Sequence, residues 1–340
     1  MDAERPELSA LGLGARPADI TVSFEEAVER ELEGVSIGEL RAAASGLSDR
    51  YRSGGSVDGR GGFAPGQHQA YLATRAPATF ASVRAVLAEL ANSLPGWAPE
   101  STLDLGAGPG TALWAAVAQF PSINSARLVE RDAEMAALGR RLGRSGGWDP
   151  PFDPEWIVGD ATVAELAESD LVTAAYVLGE LGQREQLPAL ERWWEAARDV
   201  LVLVEPGTPA GFERLRAARN ALISWGAHVA APCPHDGPCP MEGTDWCHFA
   251  ARLERSSLHR DLKGARLGYE DEKYSYLAMS RSRPPRGLAA RLLRSPRPHK
   301  GHVRLWVCEP GGIRECVVGR SEGEIYKLAR AARWGDRLEL

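Results

Sequence analysis

The stretch that most constrains this 340-residue chain is a strand that runs into a glycine-rich turn and then a helix, Leu103-Asp104-Leu105-Gly106-Ala107-Gly108-Pro109-Gly110-Thr111. Glycines at such a turn let the backbone approach a ligand and leave free amides at a helix N-terminus, which suits a nucleotide-like molecule. The apolar run from Ala112 to Phe120 supplies the helix, and further strands are expected at Ala126 to Glu130, Glu155 to Val158, Asp170 to Val177 and Val200 to Glu205. Strands that alternate with helical patterns imply βαβ units around a parallel sheet. Asp199 to Glu205 is an apolar run bounded by charge, as a central strand covered on both faces requires. Upstream, Ile20 to Arg50 has helical periodicity and Ser53 to Gly66 reads as a loop. Pro77 to Leu94 should form a helix that buries Phe80, Val83, Val86, Leu87 and Leu90 on one face.

Three acids follow the expected strand ends. Asp104 sits inside the turn, where a carboxylate repels a pyrophosphate and suits a cationic ligand. S-adenosylmethionine carries a sulfonium and an ammonium and no phosphate, so the acidic loop favours it over a dinucleotide. Glu130, at the end of the next strand, is placed to accept hydrogen bonds from ribose hydroxyls. Asp160, with Ala161 beside it, would end the third strand and could accept from an adenine amino group. As isolated residues these acids would be a helix cap and solvated strand ends; as an ordered series they mark the ligand edge of such a sheet.

Five cysteines, no basic-then-apolar leader and acidic residues Asp2, Glu4 and Glu7 at the start argue against a disulfide scaffold, a secretory signal or an Arg-rich transit peptide. A reducing, cytoplasmic location and a monomer are therefore expected, with no membrane span. The net charge of -6 argues against a uniformly basic nucleic-acid binder. The average hides a tract with no acidic residue, in which Arg281, Arg283, Arg286, Arg291, Arg294, Arg297, Lys300 and Arg304 are interleaved with Pro and Leu. Such a tract suits phosphate contacts on a folded RNA, or is a solvated loop. Trp193 and Trp194 read as helix packing, and His68 and His259 support no assignment.

Three of the cysteines crowd into a Pro- and Gly-rich stretch without periodicity, Cys233-Pro-His-Asp-Gly-Pro-Cys239 and then Cys247. Thiolates select zinc or iron-sulfur clusters, and a metal would order a segment that apolar packing cannot. Five residues separate Cys233 from Cys239 and seven separate Cys239 from Cys247, wider than the usual zinc knuckle, which leaves room for an iron-sulfur cluster. With zinc, His235 and His248 become possible ligands. A cysteine nucleophile that methylates a pyrimidine carbon is a rival reading, but a metal-held thiolate is not free to attack. Strands are also expected at Lys273 to Met279 and as a hairpin at His302 to Val318, turning at Glu309 to Gly312.

The runs LDLGAGPGTALWA, LVERDAEM, AYVLGEL and LVLVEPGTPAGF resemble the class I S-adenosylmethionine-dependent methyltransferases. More narrowly, YLATRAPATFASV, PCPHDGPCP and the closing ARWGD resemble the mitochondrial small-ribosomal-subunit assembly methyltransferase-like family and its bacterial relatives, from about Tyr71 to Asp336. The resemblance implies an α/β, doubly wound Rossmann-like core that binds S-adenosylmethionine through Asp104, Gly106, Ala107, Gly108, Pro109, Gly110, Glu130, Asp160, Ala161 and Tyr176. It implies a [4Fe-4S] cluster on Cys233, Cys239, Cys247 and a fourth cysteine in the C-terminal part, Cys308, for which Cys316 competes. It also implies small-subunit ribosomal RNA as partner, with either methyl transfer or non-catalytic assembly as the role; a small-molecule methyltransferase ranks third. Tyr176 and Glu180 follow the fourth strand, where this class presents substrate-side groups, yet the Asn/Asp-Pro-Pro-aromatic motif of amino-methylating enzymes is missing. The organisation expected is a helical region at 1–76, a methyltransferase core at 77–229 and, at 230–340, a metal-bearing, β-rich extension.

Overall fold

The computed structural model describes residues 17–52, 63–148, 152–264, 266–285 and 290–338. Four helices come first: α1 (Pro17–Glu31), α2 (Ile37–Arg52), α3 (Gln67–Thr74) and α4 (Ala76–Ser93). Strands and helices then alternate as β1 (Ser101–Leu105), α5 (Thr111–Gln119), β2 (Ser125–Glu130), α6 (Ala133–Ser145), β3 (Glu155–Val158), β4 (Ser169–Ala175), α7 (Gln183–Ala196), β5 (Ala197–Pro206) and α8 (Pro209–Ser224). The chain continues through β6 (His228–Ala231), β7 (Phe249–Glu254), α9 (Ser257–Lys263) and β8 (Tyr269–Ser280).

The principal sheet runs in the order β3-β2-β1-β4-β5-β8-β6, with β7 paired to β8. Its first five strands are parallel, while β8 enters antiparallel to β5 with Val202 opposite Ala278. The apolar run in β5 explains its central place. Val200, Val202 and Val204 face a core built with α1, α4 and α5, and Leu201 and Leu203 face a second core beneath α7 and α8. All five expected residues of α4, from Phe80 to Leu90, are buried in the first of these cores.

One expectation is corrected. The strand at Lys273 to Met279 is not part of a C-terminal extension; it is β8, lodged inside the principal sheet between β5 and β6. A boundary at residue 229 therefore cuts through that sheet.

Residues 290–338 form a second sheet from β9 (Ala290–Leu292), β10 (Arg297–His299), β11 (His302–Glu309), β12 (Gly312–Gly319) and β13 (Arg337–Leu338), covered by α10 (Glu324–Ala331). The expected hairpin is β11 and β12, closing with Glu309 opposite Gly312. Val303, Leu305, Val307 and Val318 form its core with Tyr326 and Ala329 of α10. No helix among the described residues is long and apolar enough to cross a membrane.

Candidate functional site

A cavity of about 350 Å³ opens at the carboxyl ends of β1, β2 and β4 and is lined by Gly106, Gly108, Glu130, Asp160, Ala161, Tyr176 and Glu180. Gly106 holds φ +63°, and a Cβ there would come within 2.4 Å of Val177 Cγ2, so only glycine permits this turn. Glu130 fixes the loop from below: its Oε2 accepts from the Gly108 amide and its Oε1 from the Asp132 amide, both at 2.8 Å. Burial raises the Glu130 pKa, and these two bonds hold it back toward the ionised form. Asp160 accepts from the amide and hydroxyl of Thr162 at 2.8 and 2.7 Å, which lowers its pKa and keeps it anionic.

Asp104 is placed differently from the expectation. It does not line the cavity but lies buried beneath the loop, where its Oδ1 accepts from Thr173 at 2.8 Å and its Oδ2 has no partner. Burial pushes it up to about 7, so its charge cannot be counted as a fixed anion facing a ligand. Ala107, Pro109 and Gly110 shape the turn without lining the cavity.

Tyr176 lines it in a strained conformation, φ 62°, rare for a bulky residue and common at functional sites. Its hydroxyl shares a hydrogen bond with Ser82 of α4 at 3.0 Å, and burial raises its pKa well above the ordinary value, which makes it a poor acid. Burial pushes Glu180 up to about 7, against the opposing pull of Arg131 at 3.9 Å. Sequence reasoning missed Phe63, Tyr71, Arg131, Asp132 and Thr162, which also line the cavity. Asp132 and Thr162 stood two residues beyond the two acids, a signal that could have found them. Phe63 and Tyr71 reach over from the N-terminal part, and His68 ties that part down through Asp132 at 3.1 Å.

The cysteines meet elsewhere. Cys233, Cys239, Cys247 and Cys308 line one small cavity of about 50 Å³ with Phe212, Met241, Arg219 and Arg291. Cys316 is not among them; it sits opposite Leu305 in the core of the second sheet. Among the described residues no three His, Cys, Asp or Glu side chains are drawn together closely enough to hold a metal ion. Burial pushes Cys308 up to about 12 and Cys247 well above its ordinary value. Such thiols are poor nucleophiles, and their cavity shares no lining residue with the glycine-loop pocket. His248 stacks on Trp246 with ring centroids 4.9 Å apart, and neither it nor His235 lines the cavity.

The basic tract divides. Arg291 is 1 % exposed and spends its guanidinium on Glu89, Pro232 O and Gly335 O, which corrects its assignment as a phosphate contact. Arg281 is likewise structural, stacked 4.0 Å over Trp194 and donating to the carbonyls of Trp194 and Ala197. Arg294 pairs with Asp245 and lies over Trp334. Arg283 remains exposed although Asp236 lies 3.4 Å away, and Arg286 lies outside the described residues. Arg297, Lys300 and Arg304 stay exposed on β10, its turn and β11, with Arg297 opposite Arg304 and the exposed Trp306 two residues further along β11.

The strand order, the single antiparallel strand beside β5 and the glycine cavity at the carboxyl edge define a Rossmann-like methyltransferase fold. The chain matches the model of the family described as mitochondrial small ribosomal subunit Rsm22 over residues 65–339, and it belongs to that family. The human ribosome assembly protein METTL17, mitochondrial, is 29 % identical over 290 residues, covering 79 % of this chain and 61 % of the relative. The Rsm22-cox11 tandem protein 2, mitochondrial, of Schizosaccharomyces pombe is 24 % identical over 80 % of this chain and 43 % of its own length. The chain thus spans only part of the length of the curated relatives it matches. These relatives overturn the cytoplasmic expectation: they are named as mitochondrial proteins. Among solved structures, a putative RNA methyltransferase of Pyrococcus horikoshii aligns at TM-score 0.39 and 19 % identity, over 58 % of this chain and 80 % of that one. The magnesium protoporphyrin IX methyltransferase of Synechocystis PCC 6803 aligns at 0.42 and 14 %, over 78 % and 100 %. Likenesses of this extent have no bearing on function.

Proposed function

We propose that the chain binds S-adenosylmethionine in the glycine-loop cavity and acts on or binds small-subunit ribosomal RNA during ribosome assembly, with a [4Fe-4S] cluster as a structural element. The observation that carries the cofactor reading is the pair of carboxyl groups, Glu130 and Asp160, that line one cavity with the glycine turn. Glu130 already ties the loop to β2 and keeps lone pairs for ribose hydroxyls, while Asp160 is held ionised at the opposite end. The partner reading rests on family membership together with the exposed cations Arg283, Arg297, Lys300 and Arg304.

The residues fit the cluster. Four thiols and no carboxylate line the cavity, and buried guanidinium nitrogens without partners stand beside them, as an anionic thiolate centre needs. Cys233, Cys239, Cys247 and Cys308 would hold it, and it would join segments far apart in the chain without entering the methyl-transfer site. Zinc on the same four thiolates is the alternative, and metal and sulfide analysis of anaerobically purified protein decides between them.

A non-catalytic assembly role is supported by a specific observation: the hydroxyl of Tyr176, one of the two substrate-side candidates, is tied to Ser82, which leaves Glu180 as the remaining candidate acid or base of that pair. Methyl transfer to an already nucleophilic acceptor needs alignment more than a base, so transfer must be measured. Purified protein is given labelled S-adenosylmethionine and immature small subunits. Label in the RNA establishes transfer; bound cofactor and bound RNA without label establish the assembly role; failure to bind either overturns the proposal.

A further inference from the structure

The cavity of the four cysteines has a charge problem that its thiols alone do not solve. Arg219 of α8 is 3 % exposed and Arg291 of β9 is 1 % exposed, and both face the same cavity. Arg219 donates through Nη2 to His235 O at 2.7 Å, while its Nε and Nη1 have no hydrogen-bond partner. Among the described residues no carboxylate lies within ion-pair distance of it, and the side chains that share its cavity include the thiols of Cys233, Cys239, Cys247 and Cys308. Arg291 is paired with Glu89 at 2.7 Å, but its Nη2 is also left over. A buried cation without an anion is strongly unfavourable, and unpartnered buried N–H groups add to the cost. Protonated thiols relieve neither. A cluster held by four thiolates carries a net charge of about 2− in its oxidised resting state, the opposite of what two guanidiniums supply.

We infer that Arg219 and Arg291 are positioning residues for the metal-thiolate centre, donating their spare N–H groups to its sulfur atoms and compensating its negative charge. This rests on the cluster reading proposed above. Two consequences follow. If dithionite supplied one electron to the loaded centre, the cluster and its thiolates would go from 2− to 3−, a change that nearby guanidiniums would favour and that hydrogen bonds to sulfur would tune. Arg219 also has opposite effects in the two states of the protein. It is a liability in the metal-free chain, where its charge stands uncompensated, and a support in the loaded one.

The test uses the full chain reconstituted anaerobically with ferrous iron and sulfide, with Arg219→Met and Arg219→Lys beside the wild type. Three quantities are read: the midpoint potential in a dithionite titration with mediators, the rate of iron loss to a chelator, and the melting temperature of the metal-free and loaded forms. Arg219→Met should lower the midpoint potential and weaken iron retention by about 10–100-fold. It should leave the metal-free melting temperature unchanged or higher and reduce that of the loaded form, and Arg219→Lys should recover part of the loss. A merely structural arginine would instead destabilise both forms alike. Arg219→Met with the potential and iron retention of the wild type overturns this inference alone. A wild type that takes up no iron sinks the cluster reading, and this inference with it.

Discussion

The Glu130 carboxylate accepts the Gly108 amide at 2.8 Å, which makes the end of β2 and the turn after β1 a single unit. Loss of the carboxylate disturbs the loop as well as any ribose contact. Glu130→Gln keeps the shape but turns an NH2 toward one of two backbone donors, Gly108 N or Asp132 N. Removing a partner from a largely buried donor costs about 1–3 kcal/mol. The lost charge-assisted contact to a ribose hydroxyl adds about 1.5–3 kcal/mol in the bound state, so calorimetric titration with S-adenosylmethionine should show about 10–100-fold weaker binding. An unchanged affinity would show that the glycine loop does not need its anchor.

Gly106 carries the strictest steric requirement of the pocket. A Cβ there meets Val177 Cγ2 at 2.4 Å in a left-handed conformation, so Gly106→Ala should lower stability by about 1–3 kcal/mol. Denaturant unfolding at constant slope measures this. Gly147, also at positive φ (+81°) but with open space around its added Cβ, is the comparison: Gly147→Ala should cost about 1 kcal/mol.

Glu180 gives the cavity a pH dependence whose sign is fixed. Burial raises its pKa from 4.5 to about 7, with Glu130 and Glu205 adding to the rise and Arg131 opposing it. Its side chain keeps 37 % exposure, so solvent screens part of the effect. A raised carboxyl contributes stability fully present below the unfolded pKa and lost as pH rises through the folded one. Stability should accordingly fall between about pH 4.5 and 7, and Glu180→Gln should flatten that fall. Cationic S-adenosylmethionine favours the ionised acid, so its affinity should rise from pH 6 to 8, while neutral-thioether S-adenosylhomocysteine should change far less. Asp104, also raised to about 7, lies beneath the loop, and Glu180→Gln separates its contribution. Equal pH profiles for the two ligands would refute the assignment.

What the sequence reveals here is what local pattern controls. Strands β1 to β5 and helix α4 were legible because alternation and helical spacing follow from which faces each element buries. The place of β8 was not, because its insertion between β5 and β6 is a choice of partner made across more than sixty residues by tertiary packing. Charge pattern likewise does not reveal burial. Arg291 and Arg297 look alike in a basic tract, yet one is sealed against Glu89 and the other is exposed. Asp104 was misplaced for a related reason: the pattern located it in the motif but not on which side of the turn its carboxylate would lie.

Cys308 and Cys316 lie on adjoining strands but face different surroundings, one the four-thiol cavity and the other the second core. Cys308→Ser should abolish iron uptake during reconstitution, read as lost visible absorbance and lost iron and sulfide. Cys316→Ser should load normally and, as the burial of a hydroxyl in an apolar core, cost about 1–3 kcal/mol of stability. The reverse pattern would move the fourth ligand to Cys316.

The divided basic tract separates an RNA contact from a structural arginine. Alanine at Arg297, Lys300 and Arg304 together removes exposed side chains, among which Arg304 pairs at 3.3 Å with Glu315. Stability should change by no more than about 1 kcal/mol, since exposed pairs contribute little. Binding to small-subunit RNA should weaken, and the slope of log affinity against log salt should fall by about 0.7 for each lost phosphate contact on single strands. Arg291→Ala should do the opposite. It leaves Glu89 and the carbonyls of Pro232 and Gly335 without their donor and should cost about 3–5 kcal/mol of stability. In whatever fraction remains folded, the salt slope should be that of the wild type. A triple variant with undiminished RNA affinity and slope would remove this face from the RNA contact and leave Arg283 as the exposed cation to test.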